Sequence, residues 1–111
     1  MTMWRCTVCG YIHTGGEAPE KCPKCGASRD KFTKIEEKTR ELIERSRFTN
    51  LLLAELYSLL DQAQEIAAQG KEDNLDPNCV AIFDRLGKEG GILQQMIKAE
   101  IAAHIAKNKW G

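Results

Sequence analysis

Two pairs of cysteines, Cys6-Thr7-Val8-Cys9 and Cys22-Pro23-Lys24-Cys25, stand twelve residues apart near the start of the chain. Nothing else in the 111 residues constrains the fold as tightly. A gap of two residues lets both thiolates of a pair reach one ion as the chain turns. Glycine directly after each pair (Gly10, Gly26) permits the positive φ that aims backbone N–H groups at the sulfurs. The first residues carry no apolar export signal, so the expected compartment is the cytoplasm, where paired cysteines hold metal rather than form disulfides. Four soft thiolates in a tetrahedron suit iron or zinc. Cys6, Cys9, Cys22 and Cys25 are therefore the expected metal ligands, and a chain this short needs such a staple to hold a separate small domain.

Around the cysteines the apolar residues do not recur at helical spacing. Gly10, Gly15, Gly16 and Gly26, with Pro19 and Pro23, punctuate short extended pieces and turns. After Thr33 the character changes, and from Lys34 to Gln69 there is neither glycine nor proline. Leu, Ala, Glu, Gln and Lys dominate there, which predicts a helix over 34–69. Thr33 and Glu36 are spaced as a capping box, and Gly70 is expected to close the helix. Its inward seam is expected to run through Ile35, Thr39, Leu42, Ser46 and Thr49, then Leu53, Leu56, Leu60, Ala63 and Ala67. Residues 70–76 form a polar loop. Asp76 as N-cap with Pro77 in the first turn opens a second helix over 77–109. Phe83, Leu86, Gly90, Leu93, Ile97, Ile101 and Ile105 are expected to face inward. Gly90-Gly91 within it marks a close approach of another backbone or a kink.

The short loop folds the helices back as an antiparallel hairpin. Phe48, Leu51, Leu52, Leu59 and Ile66 lie off the first seam, and a lone hairpin would leave them wet. Pairing of two copies into a four-helix bundle is the expected remedy, as a homodimer or a larger homo-oligomer. The small N-terminal domain covering the stripe is the alternative. The fold class is thus a small metal-bound β/loop domain over 1–33, followed by an all-α two-helix hairpin over 34–111.

Lysine plus arginine equals aspartate plus glutamate, at 16 each, which argues against nucleic acid as a partner. Apolar runs such as Leu51–Ala54 fall far short of the roughly 20 residues that cross a bilayer, so no membrane is expected either. Residues 1–34 hold Arg5, Lys21, Lys24, Arg29, Lys31 and Lys34 against Glu17, Glu20 and Asp30. That is a net +3, balanced by −3 in the helices.

Residues 3 to about 34 resemble the short rubredoxin domain of rubrerythrins. The likeness extends beyond the cysteines to Trp4, Tyr11, the lead-in Ala18-Pro19-Glu20-Lys21-Cys22-Pro23 and the closing Phe32. It implies one redox-active iron ligated by Cys6, Cys9, Cys22 and Cys25, and one-electron transfer to or from a redox partner protein such as a flavoprotein or another oxidoreductase. Val8, Tyr11, Pro23 and Lys24 are expected to form the face through which the electron passes. A zinc ribbon, which shares the Cys-Pro-x-Cys-Gly knuckle, is the alternative, with zinc in place of iron and an adaptor role for the hairpin. The net +3 departs from the acidic surface usual in rubredoxins.

The order of regions, cysteines first and helices second, is similar to that of reverse rubrerythrins, whose helical part holds a di-iron peroxidase centre. Such a centre requires Glu-x-x-His on a helix, and this chain has none. Glu55, with Glu100 and His104 spaced by four, is the one substitute, and only if two copies bring these residues together. A peroxide-reducing enzyme with a di-iron site at a dimer interface is accordingly the alternative function. Read plainly, Glu55 is a rim carboxylate and His104 a partner of the helix end or a dimer contact. His13 is expected at the surface. Cys79 is expected to be a small buried apolar residue in the first turn of the second helix.

Overall fold

Short extended segments around the cysteine pairs form a three-stranded antiparallel sheet in the order β2-β1-β3, with β1 at Met3–Cys6, β2 at Ile12–Thr14 and β3 at Phe32–Lys34. The structure, a computed structural model, describes all residues from Met1 to Gly111. Register places Trp4 opposite His13 and Lys34, and Cys6 opposite Phe32. Because side chains alternate along a strand, each face of β1 serves a different core. Trp4 and Cys6 join Ala18, Cys22 and Phe32 on the cysteine side, with Tyr11, Cys9 and Ala27 packed around them. Met3 joins Ile35, Ile43 and Ile12 on the other side.

Helix α1 spans Glu37–Asp73 and α2 spans Pro77–Ala106. The chain divides into two compact units, Met1–Arg47 with Asn108–Gly111, and Phe48–Lys107. The sequence boundary at Thr33 therefore lies inside the first unit, because Ile43 at the start of α1 is buried against Met3 and Ile35. Within that unit Arg47 donates from Nε to the Gly111 carbonyl at 2.7 Å and from Nη2 to Thr14 Oγ1 at 3.0 Å.

The expected capping box at Thr33 does not form. Thr33 pairs with Arg5 in the sheet, and the ladder continues as the Ile35 N–H donates to the Met3 carbonyl at 2.9 Å. The helix consequently starts three residues later than 34. The Glu36 carbonyl accepts its first bond from the Arg40 N–H, and the Glu36 carboxylate accepts from the Thr39 hydroxyl. Gly70 does not end α1 either. The helix runs through it to Asp73 and stops where Asn74 adopts a left-handed conformation (φ 50°). A Cβ on Gly70 would lie 2.3 Å from the Phe83 ring, so this glycine makes room for an aromatic across the hairpin.

Asp76 caps α2 as expected, its carboxylate accepting from the Cys79 N–H at 2.8 Å, and Pro77 follows. The helix ends at Ala106, short of 109, where Lys107 leaves helical geometry and donates its N–H to the Ala103 carbonyl. Gly90 lies in unbroken helix against the Gln64 side chain, so it marks neither a kink nor a close approach of another backbone but room for a side chain from the facing helix.

The two helices of the second unit are antiparallel, and their seam differs from the expected one at alternate positions. Asn50 and Tyr57 face inward from α1 where Thr49 and Leu56 are expected, and Gln64 shares the inner face with half-buried Ala63; Gly87, Gln94 and His104 replace Leu86, Leu93 and Ile105 on α2. The polar side chains find one another across the gap. Gln94 donates to Asp61 Oδ1 at 2.7 Å and to the Tyr57 carbonyl at 3.2 Å, and accepts from Gln64 at 2.8 Å. His104 Nδ1 lies 2.5 Å from Asn50 Oδ1. Satisfying these groups inside leaves the displaced leucines outside. No helix is long and apolar enough to cross a membrane.

Candidate metal centre

Each cysteine pair is a tight turn of the same design. Gly10 donates its N–H to the Cys6 carbonyl at 2.9 Å with φ +83°, and Gly26 does the same to Cys22 at 2.8 Å with φ +77°. The Cys6 N–H reaches the Tyr11 carbonyl and the Cys22 N–H the Ala27 carbonyl, both at 2.8 Å. The two turns thus relate by an approximate two-fold repeat, each supplying one inner and one outer sulfur. Inner Cys6 and Cys22 are buried; Cys9 is half-buried and Cys25 is exposed. β1 positions Cys6, and the ladder partner Phe32 closes the site below it, meeting the Tyr11 ring edge-on at 6.5 Å. Thr7 anchors the first turn by donating its N–H and hydroxyl to the Lys31 carbonyl at 2.9 and 2.7 Å.

All four sulfurs lie within 4.8 Å of one another, with Cys6–Cys25 and Cys9–Cys22 both at 3.6 Å. A metal–sulfur distance of ~2.3 Å in a regular tetrahedron requires sulfurs roughly 3.8 Å apart. The donor set therefore fits a single tetrahedral ion of thiolate preference. It is the one group of three or more His, Cys, Asp or Glu side chains close enough to share an ion.

The electrostatics favour thiolates on the inner pair. Burial pushes the Cys6 and Cys22 thiols up, but backbone N–H donors outweigh it, from Cys9 and Val8 to Cys6 and from Cys25 and Lys24 to Cys22. Both thiols fall below their usual range, Cys22 to about 7. Cys25 goes the other way: the Ala27 N–H favours its thiolate, yet partial desolvation and the three neighbouring sulfurs push it up to about 12. A dipositive or tripositive ion among the four removes that mutual repulsion.

The remaining candidates are dispersed. Glu55 is exposed on α1. His104 is buried and joins Asn50 and Glu100, with Nε2 3.1 Å from Glu100 Oε1, but Glu55 does not belong to this cluster. Cys79 is half-buried, and its thiol is raised because it donates to the Asp76 carboxylate at 3.4 Å. His13 is half-buried, not exposed, with Nδ1 3.3 Å from the Tyr11 hydroxyl. Sequence reasoning gave Thr7 no role, although it holds the first turn, and cited Ala18 for the resemblance alone, although it fills the core with Cys6 and Cys22.

Residues 4–33 match the rubredoxin-like domain of rubrerythrin. The chain is 57% identical over 37 residues to reverse rubrerythrin-1 of Clostridium acetobutylicum, covering 33% of this chain and 20% of that protein. It is 52% identical over 31 residues to rubrerythrin of Nitratidesulfovibrio vulgaris, covering 28% and 16% respectively. Rubredoxin-2 of Chlorobaculum tepidum matches along its whole length, 38% identical over 52 residues and 32% of this chain. The chain thus spans a fifth or less of these two rubrerythrins and all of the rubredoxin. No solved structure matches.

Proposed function

The chain belongs to the rubredoxin family through its N-terminal third, of the rubrerythrin type, and from that premise we propose that it is a one-electron transfer protein. The four-cysteine site and its relatives support a redox role of iron–sulfur type. One iron, held by Cys6, Cys9, Cys22 and Cys25, would supply a ferric/ferrous couple. The chain's own residues do the rest. The two turns fix the positions of all four sulfurs, so the donor set would change little between the two charge states and little reorganisation would oppose transfer. The N–H groups of Val8, Cys9, Lys24 and Cys25 stabilise thiolate charge and raise the potential. Trp4, Phe32 and Ala18 shield the inner sulfurs from water. Cys25, beside exposed Val8, Pro23 and Lys24, offers a ligand sulfur at the surface where a partner can dock.

The hairpin serves assembly, as a homodimer or larger homo-oligomer, and the redox partner is a flavoprotein or another oxidoreductase in the cytoplasm. The observation that carries the reading is the fourfold sulfur cluster with its backbone donors and one exposed edge. Metal analysis with visible spectroscopy and voltammetry on natively purified protein tests it. One iron per chain, a thiolate-to-iron absorption and a reversible wave are expected. Zinc in a colourless sample would make the domain an adaptor. Three irons per chain would favour the peroxide-reducing alternative built on Glu55, Glu100 and His104.

A further inference from the structure

The second unit buries Asn50, Gln94 and His104 and leaves many of its large apolar side chains exposed. On α1, Leu52, Leu56, Leu59 and Ile66 follow one another at steps of four, three and seven, and are 46–61% exposed. On α2, Ile82, Leu86, Leu93 and Met96 do likewise at steps of four, seven and three, and are 36–68% exposed. Such spacing keeps each set on one stripe of its helix. The two stripes lie on the same side of the hairpin, because Leu56, Leu93 and Met96 line one cleft of about 300 Å³ with Leu53, Ile97 and Glu100. The opposite side is closed by polar contacts instead: Gln94 to Asp61, Lys71 to Asp84 at 2.9 Å, and Lys98 5.7 Å from the Tyr57 ring centre.

We infer that this face is the docking surface for a second copy of the chain, the two hairpins joining face to face as a four-helix bundle. The inference rests on the assembly role proposed above and supplies the face that performs it. Eight large aliphatic side chains at these exposures leave on the order of 700 Å² of apolar surface in water, more than the ~300–600 Å² of a typical monomer's largest patch. It approaches the ~800 Å² that each partner contributes to a standard stable interface. Two heptad-spaced stripes side by side also suit interdigitation with an identical pair, and each open cleft can receive a side chain from the other copy. Glu100 at the cleft rim keeps its carboxylate bonded to His104, so docking need not strip it of its partner. An anionic lipid surface fits less well, because Glu55 and Glu100 flank the stripe.

The test is the mass of the full-length, metal-loaded protein by light scattering and sedimentation at micromolar concentration. Twice the 12.5 kDa chain mass is expected. Leu56→Lys and Leu93→Lys each strike an isologous interface twice, and should weaken association by at least ~100-fold while leaving far-UV circular dichroism unchanged. Ser58→Lys and Gln95→Lys, off the stripe, should remain dimeric. If a lysine variant loses helix, the milder Leu59→Gln decides on the same readout. A wild-type chain at 12.5 kDa throughout overturns the inference, including one that partitions onto phosphatidylglycerol vesicles. So does an assembly that survives every substitution on the stripe. A colourless dimer would sink the redox reading and leave this one standing, whereas an iron-loaded monomer would do the reverse.

Discussion

Ile43→Ala isolates the contact that joins the start of α1 to the sheet. Ile43 and Met3 are both fully buried, with Ile35 at 8% exposure beside them and Ile12 packed alongside. The substitution removes three carbons, worth ~0.8 kcal/mol each in transfer from water, or about 2.4 kcal/mol together. A cavity term adds to this, because the sheet and helix can collapse only partly. The total is ~3–4 kcal/mol, inside the ~2–5 kcal/mol range for such truncations. Trp4 and Trp110 both belong to this unit, so guanidinium unfolding followed by tryptophan fluorescence reads it directly, whatever metal is bound. The midpoint should fall by that free energy divided by the slope, and the slope should not change. The sulfur cluster lies on the opposite face of β1, so the visible spectrum of the folded variant should match the parent. A loss below ~1 kcal/mol, or a shifted spectrum in the native state, would refute the assignment of two separate cores.

Three further perturbations follow from the same contacts. Cys9→Ser replaces an outer sulfur with a harder oxygen and should lower the reduction potential or release the iron, read by voltammetry and metal content; an unchanged potential and spectrum would exclude Cys9 as a ligand. Gly70→Ala would gain up to ~1 kcal/mol from helix propensity, but its Cβ meets the Phe83 ring at 2.3 Å, so a net loss of ~1–3 kcal/mol is expected in thermal unfolding. Acidification should weaken the hairpin. Asp84 is held below its ordinary 3.8 by Lys71 and Lys88, and Asp76 by the Cys79 N–H and thiol. Both carboxylates contribute stability that is complete above 3.8 and is lost as pH falls through the lower folded values. The stability gap between the parent and Asp84→Asn should therefore close on that acid limb, and a gap that persists to pH 2 would show that charge is not its cause.

The metal site was legible in the sequence because its chemistry is local. Each pair of thiols and its following glycine sit within five residues, and no distant contact is needed to form the turn. Helix existence was legible for the same reason, and Asp76-Pro77 located the start of α2. What failed was decided by distant partners. Thr33 reads as a cap until β1 claims its main chain, and Gly70 reads as a stop until Phe83 arrives across the hairpin. Helical spacing and hydrophobicity alone put Leu56 and Leu93 inside. Tyr57 and Gln94 hold those places instead, and Asn50 and His104 hold those of Thr49 and Ile105; Gln94 bonds Asp61 and Gln64 on the facing helix and His104 meets Asn50, a match that single-helix periodicity does not weigh.

The four sulfurs are covered unequally. Cys6 and Cys22 lie under the core, Cys9 is half-buried and Cys25 is open to solvent. A chelator or competing thiol therefore meets the centre most directly along the Cys25 edge, and exchange of a bound ion would begin at that sulfur.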